Sequence, residues 1–158
     1  MKPVLLLLSS ILGLSACMST AKTLQNMDVY ALRLHPGQDL KKELDAFARE
    51  HHLQAGFVIT CVGSLRRVTI RPAGQQQPLL RSQKFEIVSL VGTLSPDGSH
   101  LHIALSDSNG ATLGGHLLEG NEIYTTAEIV IGEAQHLQFR RTVDPATTFK
   151  ELTVNKRE

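Results

Sequence analysis

From Gly56 onward the chain repeatedly alternates apolar and polar residues, and this period of two constrains its fold more than any other feature. Successive side chains of a β-strand point to opposite faces, so the alternation predicts strands that are buried on one face. Turn clusters rich in Gly, Asn, Asp and Pro separate the segments and favour antiparallel connections. The predicted strands are residues 57–62, 68–71, 85–94, 100–106, 122–131 and 136–140.

One further strand and one helix precede this region. Residues 28–34 also alternate, which predicts a strand that ends at the following Pro-Gly pair. Between Asp39 and His52 apolar residues recur at helical spacing, and Asp39 is a suitable N-cap. The predicted fold class is therefore α+β, a largely antiparallel sheet with one main flanking helix. Residues 142–158 are polar and are predicted to be a C-terminal tail with one short helical turn.

Residues 1–16 have the composition of an export signal. One lysine is followed by an apolar run too short to span a bilayer, and then by Leu14-Ser15-Ala16-Cys17. This tetrad resembles the bacterial lipobox, in which the peptide is cleaved before a cysteine that carries a diacylglycerol thioether. We therefore predict lipidation at Cys17 and a tether over residues 17–27. The alternative is an ordinary signal peptide cleaved after Ala21, which discards Cys17.

The lipobox resemblance also implies a location. The lipid would hold the domain on the periplasmic side of the cell envelope, and Met18, a residue other than Asp after the cysteine, implies the outer membrane. The other cysteine, Cys61, lies in an apolar stretch rich in β-branched residues. It is predicted to be a small buried hydrophobe rather than a nucleophile.

Charge argues against nucleic acid as a partner. The full chain has 16 basic and 15 acidic residues, and removal of Lys2 with the signal leaves 15 of each. A neutral domain lacks the basic excess that drives binding to phosphate backbones.

Three of the seven histidines, His100, His102 and His116, have a spacing that suits a metal site. His100 and His102 are two residues apart on a predicted strand, so both rings point to one face and can reach one metal ion. His116 follows the pair Gly114-Gly115, which permits a close approach of the backbone. The set predicts a site for Zn²⁺ or a similar divalent ion with an open coordination position.

Three carboxylates are candidates to complete this site. Glu86, Glu119 and Glu128 could each supply a fourth ligand, a hydrogen bond to a ligating histidine, or a general base. The sequence does not choose among them. The alternative interpretation of the histidine pair is a polar strand face that hydrogen-bonds to backbone or water.

Several segments occur in the order seen in one family, and together they cover about residues 28–140. They are residues 30–37, 55–56, 63–65, 85–94, 100–102, 114–120 and 125–128. The chain resembles the plants and prokaryotes conserved (PPC) domain, DUF296, which we assign to residues 28–141.

This resemblance implies an antiparallel sheet with a flanking helix, usually assembled as a homotrimer. It also implies kinship with the fold of acetolactate decarboxylase, a zinc enzyme whose metal is held by an H-x-H pair and a later histidine. The matching residues here are His100, His102 and His116. Plant members labelled as DNA-binding add AT-hooks, but no Arg-Gly-Arg-Pro hook occurs in this chain.

Four functions follow as hypotheses. The first is an exported, lipid-anchored domain that binds a divalent metal or small ligand through the three histidines. The second is a metal-dependent enzyme that acts on a small acid, as acetolactate decarboxylase does. The third is the DNA-binding or transcription-regulatory role that the family label suggests. The fourth is a purely structural role, as a trimeric envelope protein whose histidines satisfy one another.

Overall fold

The computed structural model describes residues 27–157, which form one helix and nine strands. The helix α1 (Leu40–Glu50) lies between the first two strands in chain order. The strands are β1 (Met27–Leu34), β2 (Gly56–Arg71), β3 (Leu79–Arg81), β4 (Phe85–Ser95), β5 (Gly98–Ser106), β6 (Thr112–Leu117), β7 (Glu122–Ala134), β8 (Leu137–Val143) and β9 (Lys150–Lys156).

Seven strands form one sheet in the order β1-β7-β2-β4-β5-β6, with β3 paired to β2. All of these pairings are antiparallel. The end of β2 also pairs with β6, so β2, β4, β5 and β6 form a closed ring of paired strands. The predicted fold class, a largely antiparallel sheet with one flanking helix, is confirmed.

Helix α1 begins where the sequence predicts. The side chain of Asp39 accepts hydrogen bonds from the backbone N–H groups of Lys41 and Lys42 at 3.0 and 3.1 Å, which satisfies donors that have no partner within the helix. Leu40, Leu44 and Ala48 are buried and pack with the core residues of the sheet. The helix therefore covers one side of the sheet with its apolar face.

Strand β5 shows how alternation sorts side chains between the core and the surface. Leu101, Ile103 and Leu105 are buried, whereas His100 and His102 on the opposite face are exposed. The prediction for Cys61 is also confirmed: the residue is buried, and burial raises the pKa of its thiol to about 12. A thiol with such a pKa is protonated at neutral pH and inert as a nucleophile.

Two of the predicted strands are parts of one. Residues 57–62 and 68–71 both belong to β2, because Ser64 and Leu65 between them pair with Glu86 and Phe85 of β4. The register of β2 against β7 shifts at three places along its length. Such bulges insert residues that interrupt the alternation without ending the ladder, which is why the sequence suggested two strands.

The predicted helical turn in the tail is present as a single turn, in which the backbone N–H of Thr148 donates to the carbonyl of Asp144 at 2.8 Å, but a strand that the sequence did not predict follows it. Residues 150–156 form β9, which pairs with all seven residues of β8 in a separate two-stranded sheet. The backbone N–H of Asp144 donates to the carbonyl of Phe149 at 2.9 Å and closes the turn between the two strands. The boundary predicted at residue 141 thus falls within β8. Strand β3, which the sequence did not predict, adds three residues beside β2.

The predictions for the N-terminus lie outside the described residues, except that Met27, assigned to the tether, is the first residue of β1. They concern the signal over residues 1–16 and the lipid on Cys17. Within residues 27–157, no helix is long and apolar enough to cross a membrane.

Candidate metal centre

The three predicted ligands lie together on the exposed face of two neighbouring strands. His102 of β5 pairs directly with His116 of β6, and His100 is two residues before His102 on the same face. Their ring centroids are 4.3 to 5.1 Å apart. Among residues 27–157, these three form a group whose ligand atoms all lie within 4.8 Å of one another. The convergence expected from the spacing is therefore present.

The two glycines before His116 are required by the neighbouring backbone. A Cβ atom on Gly114 would lie 2.6 Å from the carbonyl oxygen of Ile103, and one on Gly115 would lie 2.5 Å from the carbonyl oxygen of Arg71. Side chains at these positions would push β6 away from β5 or from the end of β2. The glycine pair thus lets β6 lie between two strands and carry His116 to the other rings.

The distances between ring nitrogens suit a metal ion better than a hydrogen-bond network. Nε2 of His100 lies 3.2 Å from Nε2 of His102 and 3.2 Å from Nδ1 of His116. An imidazole nitrogen donates one proton or accepts with one lone pair, so it forms one good hydrogen bond and not two. Metal–nitrogen bonds of 2.0–2.1 Å in a tetrahedron place ligand nitrogens about 3.3 Å apart, close to both separations.

Electrostatics keep two of these rings neutral. The ring of His100 is exposed but partly desolvated by its neighbours, which lowers its pKa; the positive charges of Arg141, His102 and Arg71 lower it further, and Glu151 opposes the shift. The pKa of His116 is lowered by burial and then by Arg71 and the other two histidines. A neutral imidazole is the form that ligates a metal ion, so these shifts favour binding at neutral pH.

None of the three candidate carboxylates joins the histidine group within residues 27–157. Glu86 pairs with Ser106, four residues along β5 from His102 and thus about 13 Å away. Glu119 is exposed and lies 3.5 Å from the ammonium group of Lys42. Glu128 is on β7, which β2 and β4 separate from β5.

Charged residues that the sequence analysis did not assign to the site surround it instead. Arg71, Arg141, Lys150 and Glu151 line an open cavity of about 440 Å³ together with Ser99, His100, His116 and Phe149. Arg71 pairs with His116 in the register of β2 and β6. Because Arg71 ends a predicted strand, its position in the sequence could have suggested that it lies near the site. Arg141, Lys150 and Glu151 come from the C-terminal hairpin, which consists of β8, β9 and the turn between them. No local sequence pattern predicts that this hairpin packs beside the histidines.

The fold and the site define a small α+β domain with three histidines clustered on the outer face of an antiparallel sheet. Residues 21–135 match the Plants and Prokaryotes Conserved (PCC) domain, and the chain belongs to this family. The resemblance that the sequence segments carry is thereby confirmed.

The family relationship extends to known proteins. The chain is 53% identical over 131 residues to the bifunctional protein GlmU of Synechococcus sp. strain JA-3-3Ab. This match covers 83% of the chain and 21% of GlmU. The chain therefore spans about a fifth of the length of the curated relatives it matches. The structure of a hypothetical protein from Salmonella enterica is 41% identical with a TM-score of 0.83, and the match covers 84% of this chain and 96% of that one.

Two more distant structures share the fold. A metal-containing protein from Archaeoglobus fulgidus is 23% identical with a TM-score of 0.67, and the match covers 80% of this chain and 93% of that chain. The second is a protein from Bacteroides thetaiotaomicron that is named as a candidate DNA-binding protein. It is also 23% identical, with a TM-score of 0.69, and the match covers 79% of this chain and 91% of the Bacteroides chain.

Proposed function

We propose that this domain binds a divalent metal ion, Zn²⁺ in the first place, through His100, His102 and His116. The observation that carries the proposal is the pair of 3.2 Å separations between His100 Nε2 and a nitrogen of each other ring. A single metal ion would satisfy all three nitrogens, which hydrogen bonds among the rings do not. Three protein ligands leave a coordination position open, so the ion can also bind a small molecule.

Two further observations support the proposal. The lowered pKa values of His100 and His116 make the neutral, ligating form available at neutral pH. The neighbour from Archaeoglobus fulgidus, which is described as containing metal, shares only the fold at 23% identity and shows that a protein of this fold can hold a metal. Imidazole ligands with nitrogens 3.2 Å apart suit Zn²⁺ in a tetrahedral site, so Zn²⁺ is the ion to test first.

Metal analysis tests the proposal directly. We expect the protein purified without chelators to contain about one divalent ion per chain, because three neutral imidazoles form a complete set of protein ligands. His102→Ala removes the ring that pairs with His116 and should abolish retention of the ion. Mass spectrometry of the metal content, and the rise in melting temperature on addition of Zn²⁺, are the measurements.

His35→Ala is the matched control, since His35 is exposed and lies outside the cluster. This variant should bind metal as the wild type does. The proposal fails if the wild type retains no stoichiometric metal and Zn²⁺ leaves its melting temperature unchanged.

Catalysis on a small acid is the second candidate function. The open coordination position and the cationic side chains around the cavity favour it, and kinship with acetolactate decarboxylase is the resemblance behind it. A substrate screen that includes acetolactate should find a reaction lost in His116→Ala. Equal rates in wild type and variant would exclude these histidines from any such reaction.

A DNA-binding role has less support. The neighbour with a DNA-binding name is under 25% identical and indicates the fold alone. Five arginines lie in two short basic stretches, residues 66–71 and 140–141. Arg66 and Arg67 pair with Glu122, and Arg140 pairs with Asp97 at 3.2 Å. Arg71 and Arg141 line the histidine cavity, and two arginines make a small surface for contact with a phosphate backbone. A mobility shift with duplex DNA that falls steeply with salt would restore this function.

We also propose that Cys17 carries a lipid that anchors the domain on the periplasmic side of the outer membrane. The support is the lipobox-like tetrad after the apolar run. The chain should sediment with membranes and be released when Cys17→Ser removes the acceptor thiol. Cys61→Ser is the matched control, because its buried thiol cannot accept a lipid in the folded domain. Equal sedimentation of wild type and Cys17→Ser would contradict the anchor.

A further inference from the structure

The C-terminal hairpin places charged groups beside the histidine cluster. Arg141 comes from β8, Phe149 from the turn after it, and Lys150 and Glu151 from β9. The cavity that they line with His100 and His116 is therefore a composite of the main sheet and the hairpin. A ligand in this cavity would lie beside two of the three histidines and beside these charged groups.

Positive charge prevails around the cavity. Arg71, Arg141 and Lys150 contribute three cations, against the single carboxylate of Glu151. In the part of the chain that the structure describes, neither Arg71 nor Arg141 forms an ion pair, whereas Arg140, next to Arg141 in the sequence, does. The two guanidinium groups thus remain available to an external anion.

Arg141 is half-buried, and its hydrogen-bonding capacity is only partly used. Its Nη2 donates to Oγ1 of Thr93 at 2.7 Å, and its Nη1 lies 3.4 Å from Nδ1 of His100. Its Nε is buried and has no hydrogen-bond partner among residues 27–157, so a ligand in the cavity does not reach it. A guanidinium has five N–H donors and no acceptor, and each of the two terminal nitrogens carries a second N–H that can donate to a ligand. Carboxylate and phosphate oxygens are the acceptors that match its planar fork.

We infer that Arg141 and Arg71 form an anion subsite beside the histidine cluster, so that the ligand of this domain is a small molecule bearing a carboxylate or phosphate group. The inference rests on the proposed metal binding through the three histidines. One oxygen of such a group can occupy the open position of the ion while the negative charge pairs with a guanidinium. The shared requirement is an anionic oxygen in a cavity of about 440 Å³.

The positive charge of Arg141 has opposite effects on the affinity for a metal ion and on the affinity for an anion. A fixed positive charge beside the histidines repels a cation and attracts an anion. Removal of that charge should therefore strengthen metal binding slightly and weaken anion binding. A variant that merely disturbs the fold would weaken both, so the two measurements separate a binding role from a structural one.

The test uses the full chain loaded with Co²⁺, whose visible absorption changes when the open position is filled. At constant ionic strength we would titrate it with acetate, inorganic phosphate and acetamide, the uncharged analogue of acetate. Acetate or phosphate should change the spectrum and acetamide should not. Arg141→Gln should weaken the anion about tenfold or more, the usual scale for losing a charged hydrogen-bond partner, with Co²⁺ held as tightly as before or more tightly.

Arg140→Gln is the matched control, because Arg140 is adjacent on β8 but pairs with Asp97. Arg141→Lys keeps the charge and provides a second variant if Arg141→Gln folds poorly. Two results would contradict the anion subsite without contradicting the metal site. One is equal anion affinity in the Arg141→Gln and Arg140→Gln proteins, and the other is a cobalt-loaded wild type whose spectrum neither anion changes. A wild type that retains no Co²⁺ overturns both the subsite and the metal site. Whichever anion binds more tightly identifies the chemistry of the ligand.

Discussion

The protonation state of the three histidines determines whether they can hydrogen-bond to one another or bind a metal ion. His100 faces both other rings through one nitrogen, and one nitrogen cannot serve two hydrogen bonds well. Protonation of the cluster would add like charges beside Arg141 and Arg71, which already lower the pKa of His100 and of His116, respectively. The three rings are therefore best satisfied when they are neutral and share a cation.

The lowered pKa values predict how the metal-free protein responds to acid. The folded chain binds fewer protons at His100 and His116 than the unfolded chain, whose histidines titrate near about 6.5. Stability contributed by these sites is therefore present above that pH and is lost as the pH falls below it. The melting temperature of the metal-free protein should drop between about pH 7 and pH 5.

Replacement of His100 and His116 tests whether these two histidines cause the drop in melting temperature at low pH. The variant His100→Gln with His116→Gln should show a shallower dependence of melting temperature on pH, and His35→Gln should follow the wild type. Scanning calorimetry in the presence of a chelator provides the measurement. Identical slopes for the double variant and the wild type would contradict the assigned shifts.

Among the elements, β6 shows why a site residue can be easier to predict than the strand that carries it. The spacing of the histidines predicts His116 as a ligand, but no alternation predicts a strand around it, because Gly114 and Gly115 carry no side chains. Pairing of β6 with both β5 and the end of β2 supplies the strand. The contacts that need these glycines are made to residues distant in the sequence.

Gly115→Ala should disrupt this arrangement. Its new Cβ would lie 2.5 Å from the carbonyl oxygen of Arg71, so β6 must move away from β2. We expect the free energy of unfolding to fall by about 2 kcal/mol or more, and metal affinity to fall because His116 shifts. Urea denaturation and metal titration are the measurements.

Gly74→Ala is the comparison for this prediction. Gly74 has a φ of +69°, but a Cβ atom at this position would meet no atom of the described residues within 4 Å, so alanine there introduces backbone strain without a collision. It should cost about 1 kcal/mol and leave metal binding unchanged. Equal metal affinity in the Gly115→Ala protein and the wild type would show that the close approach does not position His116.

At the scale of the whole molecule, several valines of the main sheet remain exposed. Val62 of β2 and both Val88 and Val91 of β4 are 54–58% exposed, although β-branched residues in strands usually pack against a neighbour. The homotrimer implied by the family resemblance stays a prediction, and it would give such residues a partner surface. Burial of apolar side chains is the main favourable contribution to association of this kind.

Light scattering coupled to size-exclusion chromatography tests the assembly. The wild type should have three times the mass of one chain, and Val88→Glu should lower it because a buried carboxylate is strongly unfavourable. Val143→Glu is the control, since Val143 is 63% exposed, similar to the 58% of Val88, but belongs to the C-terminal hairpin. A monomeric wild type at micromolar concentration would rule out the trimer.

Local patterns were sufficient for much of this protein. Alternation predicted most strands and the inward side of β5, helical spacing with Asp39 predicted α1, and the i, i+2 spacing placed His100 and His102 on one face. These predictions hold because they depend on residues that are near neighbours in the chain. The family segments, which are also short, identified the domain.

Only the tertiary structure decided what surrounds the site. Arg141 lies beside His100 although 41 positions separate them in the sequence, and none of the carboxylates chosen from the sequence is there. The continuity of β2 depended on its partners β4 and β7, and the hairpin of β8 and β9 depended on pairing between residues that looked merely polar. Strand pairing and hairpin docking join distant segments, and a pattern of near neighbours contains no information about such distances.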